Sequence, residues 1–279
     1  MYFTFTRAGR EWNEDRGFSC ENFAFVLDGA TGSSGQKFTD KNTDAEWYSE
    51  WWYNFLQKAL HDYTVSLPEI LHTGMDCVIK DYNEITKGKE VIDFPSATIN
   101  IARKLPDGNL ELYILCDSPV ILQTKTGLSI LLLDTLNNNN DNVNFAVVEY
   151  YAKRDNISFL EARKKYNDVI FSARGRKNKQ WGYNVLSDSH EAINLGIYKI
   201  LDGNIFKKAI LMSDGYSQVF DTFKLYSIED FANKLDSLES AEEIYNELYA
   251  AQEDDKDANK FLRAKIRDDA TVSVLEIDE

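Results

Sequence analysis

Apolar and polar residues alternate at positions 2–5 and predict a strand. Two more short strand-like runs, 18–20 and 23–27, flank a turn at Glu21-Asn22. Beyond Gly35 the spacing changes. Trp47, Trp51, Phe55, Leu56 and Leu60 recur at three- and four-residue steps, which predicts a helix capped by Thr43 or Asp44, and a second helix starts at Pro68 and runs past Ile79. Residues 96–105 and 110–116 form a hairpin about Pro106-Asp107-Gly108-Asn109, because Asp-Gly between strands is a strong hairpin signal. Strands follow near 120–122 and 129–133, and the asparagine-rich tract 137–142 is expected to be an exposed, mobile loop. A helix across 158–173 precedes the basic stretch 174–179, and a hairpin about Asp202-Gly203-Asn204 leads into 209–212. The spacings Ser227 to Asp230 and Ser240 to Glu243 read as capping boxes of short helices. The acidic run 253–257 reads as a solvated helix face or loop, and a last strand covers 271–277. Strands in hairpins, separated by helix pairs, predict antiparallel sheets with helices outside.

Composition narrows this further. Hydrophobic residues make up 43% of 279, enough for a large core, while 14 Gly and 4 Pro leave little for linkers, so one domain over 1–279 is expected. The net charge of -15 disfavours nucleic acid and anionic membrane as partners. Cys20, Cys77 and Cys116 share no metal or CxxC spacing and read as reduced thiols of a cytoplasmic protein; the first residues lack the apolar core of a signal peptide. With only His61, His72 and His190, all read as structural or surface residues, a metal site would use oxygen ligands and hold Mg²⁺ or Mn²⁺.

The four Asp-Gly pairs divide into two kinds. Asp107-Gly108 and Asp202-Gly203 lie between strand-like runs and read as turns. Asp28-Gly29 and Asp214-Gly215 instead end continuous apolar runs, so each carboxylate is held at the end of a buried strand, beside a glycine that permits close backbone approach. Asp15, in Asn13-Glu14-Asp15-Arg16, Asp117 and Asp268-Asp269 occupy comparable positions at strand ends. Carboxylates converging in this way repel one another unless a cation intervenes, and a pair of divalent ions would activate water toward a phosphoryl group. Spacing alone does not bring these strand ends together.

The ordered motifs GREWNEDRG, FAFVLDGATG, FPSATINIAR, LYILCDSPVIL, ILMSDGYSQVF and IRDDATVSVLEI cover residues 9–277, and in that order the chain resembles the PPM (type 2C) protein phosphatases, especially compact bacterial members. The resemblance implies an α+β, four-layer α-β-β-α sandwich of two antiparallel sheets flanked by helices, with a flap around 150–185. It implies hydrolysis of phosphoserine or phosphothreonine proteins by a hydroxide held between two Mn²⁺ or Mg²⁺ ions, opposite a Ser/Thr kinase, in a monomer. By motif, Asp28 would bridge the metals and the Gly29 carbonyl would complete one sphere. Asp214 and Asp268 would bind the other, with Asp268 preferred over Asp269. Asp15 and Glu14 would act directly or through water, Asp117 would hold a weaker third ion, and Arg10 would grip the substrate phosphate, a task suited to its bidentate fork. Arg16 is expected in a salt bridge. The basic residues Arg174, Arg176 and Lys177 would sit on the flap and bear on substrate choice, with Trp181 and Tyr183 packing it. The chain departs from the family pattern at Ala30, where several relatives carry a histidine, at Gln218, where some carry a third-metal carboxylate, and at Cys116, where glycine is common. The alternatives are a catalytically weak phosphoprotein-binding module and a Ca²⁺-stabilised structural protein.

Overall fold

A computed structural model describes residues 1–32, 34–167, 176–180 and 182–278, with the backbone alone at 136–141. Its ten strands form two five-stranded sheets, antiparallel throughout. The first has the order β1 (Tyr2–Arg7), β10 (Ala270–Glu276), β9 (Phe206–Met212), β6 (Val120–Thr124), β7 (Ser129–Leu132). The second has the order β2 (Asp15–Ser19), β3 (Phe23–Ala30), β4 (Ser96–Lys104), β5 (Asn109–Leu115), β8 (Ile197–Asp202).

The near-continuous apolar run of β3 follows from burial of both its faces. Phe23, Phe25 and Leu27 pack with Tyr48, Trp52 and Leu56 of α1 (Asp44–Ala59) and Leu71, Met75 and Val78 of α2 (Leu67–Ile85). Their alternates Ala24 and Val26 meet Val120, Leu122, Ala209, Leu211 and Leu275 of the other sheet. A third apolar layer lies outside that sheet, where Phe5, Val272 and Val274 contact helices α6 (Asp214–Asp221), α7 (Ile228–Lys234) and α8 (Leu238–Asp254). These layers are helix, sheet, sheet, helix, as the family resemblance implied. A satellite cluster of Val148, Phe159, Ala162 and Ala258 joins α3 (Thr135–Asp155) to α4 (Phe159–Lys165). The remaining described helix is the short α5 (His190–Asn194). Among the described residues no helix is long and apolar enough to cross a membrane.

Five expectations change. The segment at Asp202-Gly203 is no hairpin: β8 pairs with β5 and β9 with β6 and β10, so the chain crosses between sheets. Asp202 caps a 3₁₀ turn, Gly203–Ile205, by accepting from the Asn204 N–H, and the Gly203 N–H donates to the Gly108 carbonyl. Both give Asp-Gly a role that does not need strand pairing. The tract 137–142 lies in α3 rather than a loop, since the modest helix propensity of Asn costs only tenths of a kcal/mol per residue and an adjoining helix propagates readily. Helix α8 starts earlier than its expected box, with Ser237 as N-cap and Ser240 at the third position. Asp255, within the acidic run, is not a solvated charge. It accepts from the backbone of Asn259, Lys260 and Phe261 and from Arg263 Nη1. The expected helix across 158–173 ends at Lys165, and its 168–173 portion lies outside the described residues.

One buried side chain sets how the sheets meet. Asn100 of β4 is fully buried, accepts from the Val26 N–H, and donates to the carbonyls of Ser118, Pro119 and Met212. It therefore fixes the ends of β5 and β9 against β3, where the acidic residues lie.

Candidate metal centre

Asp15 opens β2 and lies directly opposite Asp28 on β3, whose other neighbour is Thr98 on β4. Alternation puts Asp28 on the Val26 side of its strand, between the sheets. Asp117 follows β5 immediately after Cys116, which has φ 72, the left-handed region that explains why glycine suits that position. Asp214 opens α6 directly after β9 and Ser213, and Asp268 precedes β10. Asp28, Asp117, Asp214 and Asp268 line one cleft together with Arg10, Glu14, Gly29 and Lys265. The structure thus brings together acids from four separate stretches of chain.

Their electrostatics are those of a site short of positive charge. Asp15 is 1% exposed and neither carboxylate oxygen meets a donor in hydrogen-bonding geometry. Burial and the nearby Asp269 push its pKa to about 7, and the Ser213 and Thr271 hydroxyls offset only part of this. Burial also drives Asp28 well above the carboxylate range, reinforced by Asp15, Asp214, Asp268 and Asp117. Asp214 is raised in the same way by burial, Asp268 and Asp117. Carboxylates gathered this closely repel one another unless a cation stands among them. Lys265 brings one positive charge here, its Nζ donating to Asp268 Oδ1 at 2.6 Å.

Neighbouring groups hold this geometry. Asp269 is not aimed at the cleft. Its two oxygens accept from the N–H groups of Gly9 and Glu14, each at 2.8 Å, pinning the β1–β2 connection to the start of β10. A Cβ at Gly215 would lie 2.0 Å from the Asp269 carbonyl oxygen, so only glycine lets α6 approach β10 this closely. Gly215→Ala is expected to lower stability by about 1–3 kcal/mol or more, through overpacking, and to part Asp214 from Asp268; thermal melts check the first effect. The Glu14 carboxylate accepts from the Thr31 hydroxyl, from Thr43 Oγ1 at 2.5 Å and from Arg10 Nη2 at 2.5 Å. Arg10 also lies over Trp12, 4.7 Å from its ring centre, with its side chain 39% exposed at the cleft.

The other expected residues fall into place as follows. Arg16 pairs with Glu50 and Glu46. Gln218 bonds Gln252, and Ala30 lines the cleft. His72 and His190 stack and join α2 to α5, while His61 packs edge-on to Phe23. Lys177 pairs with Asp93 at 2.6 Å and Tyr183 lines the cleft, whereas Arg174 and Trp181 lie outside the described residues. Lys265 was missed by sequence reasoning; its placement three residues before Asp268 was the only available signal.

The donor set is all oxygen, from carboxylates and the Gly29 carbonyl, and its uncompensated charge suits hard dications such as Mg²⁺ or Mn²⁺. The orphaned oxygens of Asp15 and the shared placement of Asp28 and Asp214 in one cleft both fit a cation-binding role. Among the described residues, however, no three His, Cys, Asp or Glu side chains stand ready to hold an ion as they are placed.

No protein-family model and no curated protein matches the chain. Solved structures do match along its whole length. The PPM Ser-Thr phosphatase MsPP from Mycobacterium smegmatis is 15% identical, with 100% of this chain and 98% of that chain covered and a TM-score of 0.56. The serine/threonine phosphatase Stp1 from Staphylococcus aureus is 13% identical, with 100% and 95% covered and a TM-score of 0.57. The catalytic domain of the serine threonine protein phosphatase PstP, in complex with two manganese ions, is 14% identical, with 98% and 96% covered and a TM-score of 0.54. The fold is that of the PPM phosphatases.

Proposed function

On a chain with the PPM phosphatase fold, we propose that the acidic cleft hydrolyses phosphoserine or phosphothreonine monoesters in protein substrates with the help of two divalent ions. The observation that carries this reading is the convergence of Asp28, Asp117, Asp214 and Asp268 on one cleft that also exposes Arg10. Asp28, the Gly29 carbonyl, Asp214 and Asp268 would hold two ions. Asp15 supports them at the back, and Asp117 with Asp214 offers a weaker third position. Such ions supply Lewis acidity toward a phosphoryl oxygen and acidify water.

The chain's own residues bind and orient. Glu14 engages one end of the Arg10 guanidinium, and Thr31 and Thr43 hold Glu14 in turn. A guanidinium has five donors, so an arginine fixed this way still grips a phosphoryl group at the cleft mouth. Residues around 150–185 would form a flap beside this mouth, where Tyr183 and Arg163 line the cleft and would meet the substrate chain. A phosphorylated Ser/Thr protein made by an opposing kinase is the matching substrate class.

A second reading, a catalytically weak phosphoprotein-binding module, is favoured by Ala30 and by the ammonium set among the acids. Hydrolysis of an aryl phosphate with Mn²⁺, Mg²⁺, Ca²⁺ or chelator separates the two. Turnover with Mn²⁺ or Mg²⁺ and none with chelator is expected. Phosphopeptide binding without turnover in any metal would replace the enzyme reading by the module.

A further inference from the structure

The phosphatase reading leaves Lys265 of the cleft unused. It lies in the loop between α8 and β10, and its side chain is 39% exposed. Its ammonium reaches inward to Asp268 Oδ1 at 2.6 Å, into the cleft that Asp28 and Asp214 also line. Paired with a carboxylate, the lysine ammonium carries its positive charge into the cleft. Arg10, which also lines the cleft, is engaged by Glu14. Lys265 therefore contacts one of the three carboxylates that would ligate a divalent ion and shares the cleft with the other two.

We propose that Lys265 is a built-in countercation of the metal centre: its ammonium occupies the Asp268 side of the site, and a divalent ion must displace it to bind there. The proposal rests on the two-ion reading. A lysine ammonium is a point charge on a long stem, able to leave by stem rotation, which guanidinium forks held by several carbonyls are not. It satisfies one carboxylate well but cannot coordinate several at once, which accounts for acids that converge without forming a ready cage. The consequence is a centre whose ion affinity is set below what its carboxylates alone would give, so that occupancy follows the free ion concentration. The apo protein in turn keeps a stabilising charge where the ion would be.

The test compares Mn²⁺ binding by isothermal titration, and metal-free thermal melts, for the wild type, Lys265→Met, Lys265→Arg and Lys260→Met. Lys260 is exposed five residues away, so its loss measures the general effect of removing one positive charge. Lys265→Met is expected to bind Mn²⁺ about tenfold or more tightly than the wild type, as loss of a competing charge at contact distance implies. It is also expected to melt lower without metal and to gain more in melting temperature when Mn²⁺ is added. Lys260→Met should stay within about twofold of the wild type, and Lys265→Arg, which keeps the charge and grips a carboxylate with a fork, should bind Mn²⁺ no more tightly than the wild type. Should Lys265→Met not fold without metal, Lys265→Gln carries the same comparison with a polar chain. Equal Mn²⁺ affinity in all four proteins would overturn the countercation role and leave the two-ion reading intact. Absence of Mn²⁺ binding in wild type and Lys265→Met alike would overturn both.

Discussion

Replacing Asp214 by Ala is expected to lower kcat/KM for a phosphoryl substrate about 10³-fold or more, a loss on the order of 4 kcal/mol of transition-state stabilisation. Asp214 stands where β9 runs into α6, in the cleft with Asp28, Asp268 and Asp117. In the proposed two-ion centre it holds one ion with Asp268 and borders the third position with Asp117, so its removal weakens both. The same substitution relieves repulsion among buried acids, and the folded protein should not suffer for it: the metal-free variant is expected to melt at or above the wild-type temperature. Loss of activity with stability retained is the signature of a ligand. Unchanged kcat/KM in saturating Mn²⁺ would remove Asp214 from the centre.

The largest expected effect on stability lies away from the cleft. Glu111→Ala should destabilise the fold by about 3–5 kcal/mol, because it strands a buried guanidinium. Arg103 on β4 is 1% exposed and Glu111 on β5 is 2% exposed. Arg103 Nε and Nη2 donate to Glu111 Oε2 at 2.9 and 2.6 Å, and its remaining donors reach the carbonyls of Leu60, Asp62 and Val65. The other oxygen of Glu111 accepts from the Leu67 N–H and the Tyr198 hydroxyl. The pair therefore ties the α1–α2 connection and the edge strand β8 to the sheet. At about 2–4 °C per kcal/mol for a chain of this order of length, the melting temperature should fall by about 6–20 °C. The cleft lies at the other end of these strands, so the folded fraction of Glu111→Ala should retain full Mn²⁺-dependent turnover.

The parts of the fold that were legible before any coordinates share a physical cause. β3 read as a buried strand because both its faces are covered, and α1 and α2 read as helices because their aromatic and aliphatic stripes pack on one sheet. Asp107-Gly108 read correctly as a turn, with Gly108 at φ +85. Asp202-Gly203 did not, since the same dipeptide serves a crossover between sheets when the following strand finds other partners. Nothing local distinguishes these two cases. The acids of the cleft were legible singly, as carboxylates ending apolar runs, but their meeting depends on long-range contacts such as those of Asn100. Their order in the chain supplied that through family resemblance. Lys265 stayed invisible because a lysine near an aspartate is usually a solvated pair, and only the fold sets this one among buried acids. Asp269, ranked behind Asp268 as a ligand by the family resemblance, accepts from the backbone N–H groups of Gly9 and Glu14.

The central claim is that this cleft works as a divalent-ion phosphatase centre. Its most direct measurement is phosphate release from a phosphothreonine peptide, followed against the number of Mn²⁺ ions bound per chain after stripping with chelator. Release that is absent in the stripped protein and rises as the second ion binds is the predicted result. Release by the stripped protein, or none with two ions bound, would contradict it.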